Sequence, residues 1–265
     1  MSFTKNPGFQ RELSRDPYVS RGSFAQRVQI QNNTQFDEVL TSTRTPIIEL
    51  NSSYGTSALR DIETTTGSGS ISSSSGEISL STGTTASSSA KLESAEVGRY
   101  IPGYGAQLGI GVRIPSGPSG NSYAKWGGLS QDDNDGFYFG KDSSGVFVAV
   151  LKNGVESKVR QENWNIDSLD GSGPSGYNLD TSNGNIYQID FTWYGYGQIL
   201  FSVVAIPPLE SGESVDEGYK YSQATIPVHS FRPSQGVSVE SPNLQVFAET
   251  NNGGDASDFS TYVGG

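Results

Sequence analysis

The sequence predicts an all-β protein, an antiparallel β-sandwich of jelly-roll-like build with an extended N-terminal arm. Three observations predict it. Short runs alternate apolar and polar residues, and turn chemistry separates them. Glycine supplies 33 of 265 residues, while Leu and other helix formers are thin, which disfavours a helical bundle. No strand–helix–strand alternation appears, so no parallel α/β sheet is expected. The length allows one large β domain or two small ones, and either buries a core.

Residues 1–35 read as the arm. Pro7, Gly8, Pro17 and Gly22 interrupt any apolar period, and the polar run Gln29, Gln31, Asn32, Asn33, Thr34, Gln35 closes the segment. Such a stretch buries too little apolar surface to fold alone. Phe3, Phe9, Tyr18 and Phe24 favour an arm that orders on a partner over a solvated tail.

Residues 36–265 are assigned to the sandwich. After Pro46, the run Ile47-Ile48-Glu49-Leu50 reads as a strand. The segment 64–89 is mostly Ser and Thr, yet Glu77 to Thr82 keeps a period of two between Gly76 and Gly83, so a strand with flexible flanks is expected there. Leu108, Ile110, Val112 and Ile114 alternate with Gly109, Gly111 and Arg113, and the glycines suggest close backbone approach.

A meander follows. The acidic turn Asp132-Asp133-Asn134-Asp135-Gly136 leads into Phe137-Tyr138-Phe139. Lys141 to Gly145 turns into Val146–Leu151, and Asn153-Gly154 turns into Val155–Val159. Asn-Gly between β runs is a strong hairpin signal, because both residues tolerate positive φ. A second hairpin places Tyr187, Ile189, Phe191 and Trp193 on one face, and Ile199, Phe201, Val203 and Ala205 on one face of the return strand. A late strand is expected at Leu244, Val246 and Ala248.

Composition narrows the chemistry. Without cysteine there is no disulfide and no thiolate metal site. A single histidine, His229, excludes every triad or metal cluster that needs two, and after Pro227 it reads as structural. No catalytic, cofactor-binding or metal residue is assigned, and no cofactor is expected. Gly171 to Gly176 spells G-x-G-x-x-G, but Asp170 precedes it, Pro174 interrupts it and no helix opens after it, so a sharp loop replaces the nucleotide reading. No G-x-S-x-G elbow is present. The acidic turn could hold calcium, with Asp133, Asp135 and Asp142 in ligand register, but Gln131 would be a poor first ligand and the flanks are strands; an acidic hairpin tip explains the run more simply. Of the three tryptophans, Trp126, Trp164 and Trp193, the last falls on a core face. Trp164, between Asn163 and Asn165, is the best candidate for an exposed sugar-stacking ring, although core burial is the simpler reading.

Charge is uneven. The chain has 17 basic and 28 acidic residues, a net of −11. Residues 1–35 carry +3 and the remainder −14. An acidic body repels phosphate, so nonspecific nucleic-acid binding is not expected. No run of apolar residues is long enough to span a membrane as a helix, and the N-terminus has no apolar signal region. The acidic excess suits a high-salt milieu as well as it suits ordinary solubility.

Three stretches carry a resemblance. Ala124-Lys125-Trp126-Gly127-Gly128 followed by Asp132 to Phe139, then Asn163 to Gly176, then Asn185 to Gly197, together with Arg99 to Gly105 upstream, resemble a module of structural proteins in tailed phages and related viruses. The likeness spans about residues 75–250, and its motifs are turns and core aromatics. It implies a jelly-roll-like sandwich in a virion head or tail appendage (decoration, turret, spike or fibre), with localisation in the virion, and it transfers no catalytic residue. Such modules usually assemble symmetrically, often as trimers, which buries strand edges between copies. An acidic body fits a virus of a salt-loving host.

The leading expectation is therefore a non-enzymatic virion structural protein, docked to other virion proteins through residues 1–35. The alternative is a carbohydrate- or receptor-binding module that contacts a cell-surface glycan in host attachment. A β-sandwich glycoside hydrolase is the third reading, and its mark would be a working carboxylate pair in a cleft.

Overall fold

The computed structural model describes residues 45–192, 194–205 and 223–264. The 1–35 arm, its boundary with the sandwich, and the core position expected for Trp193 lie outside the described residues.

Among the described residues strands follow in chain order: β1 (Asp61–Thr66), β2 (Ser70–Ser74), β3 (Glu77–Ser81), β4 (Ser89–Ser94), β5 (Ala106–Arg113), β6 (Tyr123–Leu129) and β7 (Gly136–Asp142). The series continues with β8 (Gly145–Lys152), β9 (Val155–Arg160), β10 (Asn185–Phe191), β11 (Ile199–Ala205), β12 (Ala224–Phe231), β13 (Gln245–Asn251) and β14 (Ser260–Gly264). Two short 3-10 turns, Ser52–Tyr54 and Gln161–Asn163, are the helical elements among the described residues.

The strands form two seven-stranded sheets. The first has the order β1-β4-β13-β6-β7-β8-β9 and the second β12-β11-β10-β5-β14-β3-β2. Neighbours pair antiparallel throughout. The chain crosses repeatedly between sheets while keeping the β6–β9 meander and the β10–β12 meander intact. This is the predicted jelly-roll-like sandwich.

The core lies between the inner faces. Trp126, Phe137, Phe139 and Val148 from the first sheet meet Tyr187, Ile189, Phe191, Phe201 and Val203 from the second. Rings interlock: Trp126 and Phe139 each meet Tyr187 at 4.9 Å, Phe137 meets Phe191 at 5.0 Å, and Phe139 meets Phe201 edge-on at 5.4 Å. Each such ring contributes about 1.5–3 kcal/mol by leaving water. The hairpin register is the one the alternation predicts, with Tyr187 opposite Val203, Ile189 opposite Phe201 and Phe191 opposite Ile199. Asn153 and Gly154 turn at φ 48° and 74°, the positive values a tight hairpin needs.

Two expectations are corrected. Ile47 to Leu50 form no strand, because no neighbour among the described residues pairs with them; β1 is itself an edge of its sheet. The Ser/Thr stretch is more ordered than flanks around a single strand. It holds the end of β1, all of β2 and β3, and the start of β4. Its hydroxyls tie the connections: Ser68 N donates to Ser88 Oγ at 2.9 Å, Ser68 Oγ to the Thr82 carbonyl at 3.1 Å, and Thr82 Oγ1 to the Ser257 carbonyl at 3.0 Å. Small hydroxylated residues suit β1 and β2, since both are sheet edges and an apolar edge would invite further pairing.

Candidate functional site

Strands β6 to β8 bury side chains on both faces. Phe137-Tyr138-Phe139 sends its two phenylalanines into the core, and Tyr138 points the other way, yet Tyr138 is buried too. It belongs to a second apolar cluster on the outer face of the first sheet, with Leu129, Phe147, Ala149 and Phe247. The registers explain the grouping. Phe247, Gly127, Tyr138, Ala149 and Lys158 stand side by side across β13, β6, β7, β8 and β9. The next row is Glu249, Lys125, Gly140, Phe147 and Arg160. Glycine at 140 leaves space above the sheet, and the Phe147 ring from the adjacent strand fills it. A Cβ on Gly140 would enter the Phe147 ring, and Tyr138 meets Phe247 edge-on at 5.9 Å.

A layer of alternating charge covers these rings. Lys158 Nζ sits 3.9 Å from the Phe147 ring centre, and Lys125 Nζ lies 5.0 Å from the centres of both Tyr123 and Tyr138. Cations over ring faces are favoured by the ring quadrupole. Carboxylates then pair with the cations. Glu156 takes Lys125 at 3.0 Å and Lys158 at 3.4 Å; Asp142 takes Arg160 at 2.5 Å and Lys158 at 3.4 Å. The Tyr138 hydroxyl donates to Glu156, and the Tyr123 hydroxyl donates to Glu249 at 3.2 Å.

Between this layer and the loops at Asn121 and Ser143 opens a cleft of about 400 Å³, lined by Tyr123, Lys125, Asp142, Ser144, Glu156 and Lys158 among others. Its rim is fixed. Ser143 Oγ donates to the Gly120 carbonyl at 2.7 Å, and Asn121 N donates to Asp255 at 2.6 Å. The Ser144 amide donates to Asp142 at 2.9 Å.

The titrating groups are poised as fixed donors and acceptors. Burial pushes the Tyr123 and Tyr138 phenols up, and the adjoining carboxylates Glu249 and Glu156 add to the effect. Burial would also raise Glu156, but hydrogen bonds from Tyr138 and Lys125 and the nearby lysine charges outweigh it and hold Glu156 below the usual range. Asp142 is held low in the same way, against its burial, by Arg160, the Ser144 amide and Lys158. The cleft therefore presents ionised carboxylates beside protonated phenols.

Asp142, placed by sequence in the calcium register, lines this cleft and is taken by Arg160 and Lys158; the other residues singled out from sequence fall elsewhere. Trp164 is buried at 7% exposure, packs edge-on to Phe139 at 6.3 Å and donates Nε1 to the Val159 carbonyl at 3.3 Å, so it is core and not an exposed platform. Trp126 is fully buried. His229 is buried, accepts the Asn165 amide at Nδ1 (3.3 Å), and is pushed down by burial, as a structural histidine should be. The Gly171–Gly176 stretch is a loop, held by Asp167, which accepts the Leu169 and Ser175 amides at 2.9 and 2.7 Å.

The acidic turn spends its carboxylates separately. Asp132 takes Ser130 Oγ at 2.6 Å and the Asn134 side chain at 3.0 Å, Asp133 takes Lys91 at 2.7 Å, and buried Asp135 takes the Glu240 amide at 2.9 Å. Among the described residues no group of three His, Cys, Asp or Glu side chains is placed to hold a metal ion.

Of the cleft residues, only Asp142 is named as a candidate site residue by the sequence reading, and there as a calcium-register position. Two signals pointed at them. The uninterrupted apolar runs of β7 and β8 are what strands buried on both faces show, and β9 alternates Glu156, Lys158 and Arg160 on one face. What no pattern shows is that Lys158 and Arg160, on the edge strand β9, lie over the Phe147 ring of that second cluster.

The chain matches no family model and no curated protein sequence. Solved structures resemble it in build. The carbohydrate binding module CBM66 from Bacillus subtilis has 11% identity over 76% of this chain and 91% of its own, with a TM-score of 0.40. A legume lectin-like domain from Entamoeba histolytica has 12% identity over 77% and 86%, with a TM-score of 0.41. A protein of unknown function from Shewanella oneidensis MR-1 has 12% identity over 82% of each chain, with a TM-score of 0.43. Likeness at this level implies no shared ligand.

Proposed function

We propose that the sandwich is a non-catalytic carbohydrate-binding module whose ligand sits in the cleft over β6 to β9. One observation carries this reading: a half-buried tyrosine, Tyr123, shares an open polar cleft with Lys125, Asp142, Glu156 and Lys158, all held by mutual bonds on a rigid sheet. Sugar hydroxyls need donors and acceptors at fixed positions, while the C–H face of the ring needs an aromatic surface, and sites of this kind use few polar groups that are set in advance. A glycosidase needs one carboxyl raised so that it can act as an acid near neutral pH. Both Asp142 and Glu156 are displaced downward instead, which supports binding over hydrolysis.

The test is a glycan array probed with the full chain, followed by calorimetric titration of any ligand found. Asp142→Asn combined with Lys158→Ala should weaken that ligand about tenfold or more, since each removed charge-assisted hydrogen bond contributes roughly 1.5–3 kcal/mol. Unchanged affinity would end the cleft reading, and hydrolysis abolished by one carboxylate substitution would make the protein an enzyme.

A virion appendage remains compatible with glycan binding, since a spike or fibre can carry a receptor site. The +3 charge of residues 1–35 against −14 for the remainder supports an arm that docks on an acidic neighbour, and the motif resemblance supports a virion setting and symmetric, trimeric assembly. Deleting residues 1–35 should leave a folded, soluble sandwich that no longer incorporates into particles; normal incorporation would assign docking to the sandwich itself.

A further inference from the structure

A second surface gathers exposed rings, and none of its residues lines the cleft. It lies where β5 begins and β10 ends. Tyr104 is 69% exposed, Tyr196 72% and Tyr194 49%. Two connections carry them, the segment before β5 and the β10–β11 turn. These lie side by side: a Cβ on Gly103 would stand 3.3 Å from the Tyr194 hydroxyl, and one on Gly105 would stand 3.6 Å from Thr192 Cγ2.

Both connections are tied down. The Tyr100 ring stacks on Phe191 at 6.4 Å, and its amide donates to Asn243 Oδ1 at 2.9 Å. The Tyr104 amide closes a turn onto the Ile101 carbonyl at 3.1 Å, and the Gly195 carbonyl accepts the Ser238 amide at 2.9 Å. Tyr194 is held at φ 34°. A bulky non-glycine residue there is strained, and such strain concentrates at ligand clamps.

From this geometry we infer that the tip is a second saccharide site, taking neutral pyranose rings on the faces of Tyr104 and Tyr196. The chemistry selects the ligand. Tyrosine offers a flat apolar face and a hydroxyl at its rim, which together match the C–H face and equatorial hydroxyls of a hexose. Loops fixed in advance give up little freedom when they bind. No charged residue occurs at 101–105 or 194–198, and the nearby Arg232 guanidinium is engaged by Gln198 Oε1 at 3.0 Å, so these segments offer rings and neutral polar groups. A basic protein partner, which the acidic body would otherwise attract, finds no carboxylate in either segment.

The test titrates the full chain with maltohexaose, cellohexaose and N-acetylchitohexaose by calorimetry, at low and at high salt. At least one probe should bind with little salt dependence, because no ion pair is made. Tyr104→Ala with Tyr196→Ala should weaken that probe about tenfold or more. The paired Tyr→Phe variants should recover most of the affinity by keeping the rings, and they serve as the folded control. Asp142→Asn with Lys158→Ala leaves the tip rings in place and serves to separate the tip from the cleft. A probe lost with the tip variant and kept by the cleft variant supports the tip even where the cleft reading fails. A probe lost only with the cleft variant overturns the tip and favours the cleft. Binding of none of the three, or a tip variant that binds like the wild type, overturns the tip outright.

Discussion

The outer faces of the two sheets differ in depth. On the first sheet, Tyr138, Phe147 and Phe247 form a buried aromatic layer, and a charged layer closes over it. On the second, the outward residues of β5, β14 and β3 include Gly109, Gly111, Tyr262, Ser79 and Ser81, with one bidentate pair, Arg113 and Glu77, at 2.6 Å. A Cβ on Gly109 would meet nothing within 4 Å. Among the described residues, one face is a packed structure in its own right, and the other is one residue thick. The difference teaches that an outer sheet face becomes a site when rings lift the polar groups off the backbone and hold them there.

The sharpest way to break this comparison is to remove a ring from the deeper face. Phe147→Ala should cost about 3–5 kcal/mol, as a core phenylalanine does, although Phe147 lies on the side of the sheet away from the main core. Ser79→Ala on the other face should stay within about 0.5 kcal/mol. Urea unfolding of both variants checks this, and a Phe147→Ala cost near zero would mean that the second cluster is not packed.

Glycine gives the next contrast. Gly140→Ala drives a methyl group into the Phe147 ring and should cost about 1–3 kcal/mol by overpacking. Gly109→Ala enters open space and should be neutral within about 0.5 kcal/mol. Equal effects in thermal melts would erase the distinction between the faces.

Acid should loosen the deeper face more. Glu156 and Asp142 are held below their ordinary values of 4.5 and 3.8. A carboxyl lowered in the folded state contributes stability that is present above its unfolded pKa and lost as pH falls through its folded pKa. Stability should therefore fall below about pH 4, and Glu156→Gln with Asp142→Asn should flatten that limb. Glu77 is lowered too, chiefly by its hydrogen bond with Arg113, but the pair is more exposed than the cleft network, so Glu77→Gln should flatten the limb less. Denaturant midpoints from pH 2 to 6 at constant ionic strength (about 0.1 M) separate the two.

The strands of both sheets were legible where a face alternates. Tyr187, Ile189 and Phe191 against Val203, Phe201 and Ile199 needed only period two and a turn. The edge strands β1 and β2 were not legible, because Thr64 to Thr66 and Ser70 to Ser74 show no apolar face, and their pairing is fixed by neighbours distant in sequence. β14 was missed for a related reason: Thr261 and Val263 alternate over too short a span to stand out. At the site, the run Phe137-Tyr138-Phe139 reads from sequence as a strand only, and its second buried face emerges with the structure. The partners that make it a cleft come from β9 and β13, and only register brings Lys158 and Phe247 into the row of Tyr138.

The smallest expected effect tests whether the shallower face is as thin as it looks. Arg113 reaches Glu77 through two hydrogen bonds and stacks 3.9 Å from the Tyr262 ring centre. Short distances alone suggest strength, but both side chains remain about a third exposed (31% and 32%). Water there competes for every bond, salt screens the charges, and holding two long side chains costs rotamer freedom. A double-mutant cycle of Arg113→Ala and Glu77→Gln should therefore give a coupling of about 0–1 kcal/mol that shrinks as salt rises. The same cycle on Lys125 and Glu156 should give more, because Tyr138 beneath them fixes the geometry and Glu156 is half desolvated. A coupling at Arg113–Glu77 above about 2 kcal/mol would mean that this surface is also held from below, and that depth is not what separates the two faces.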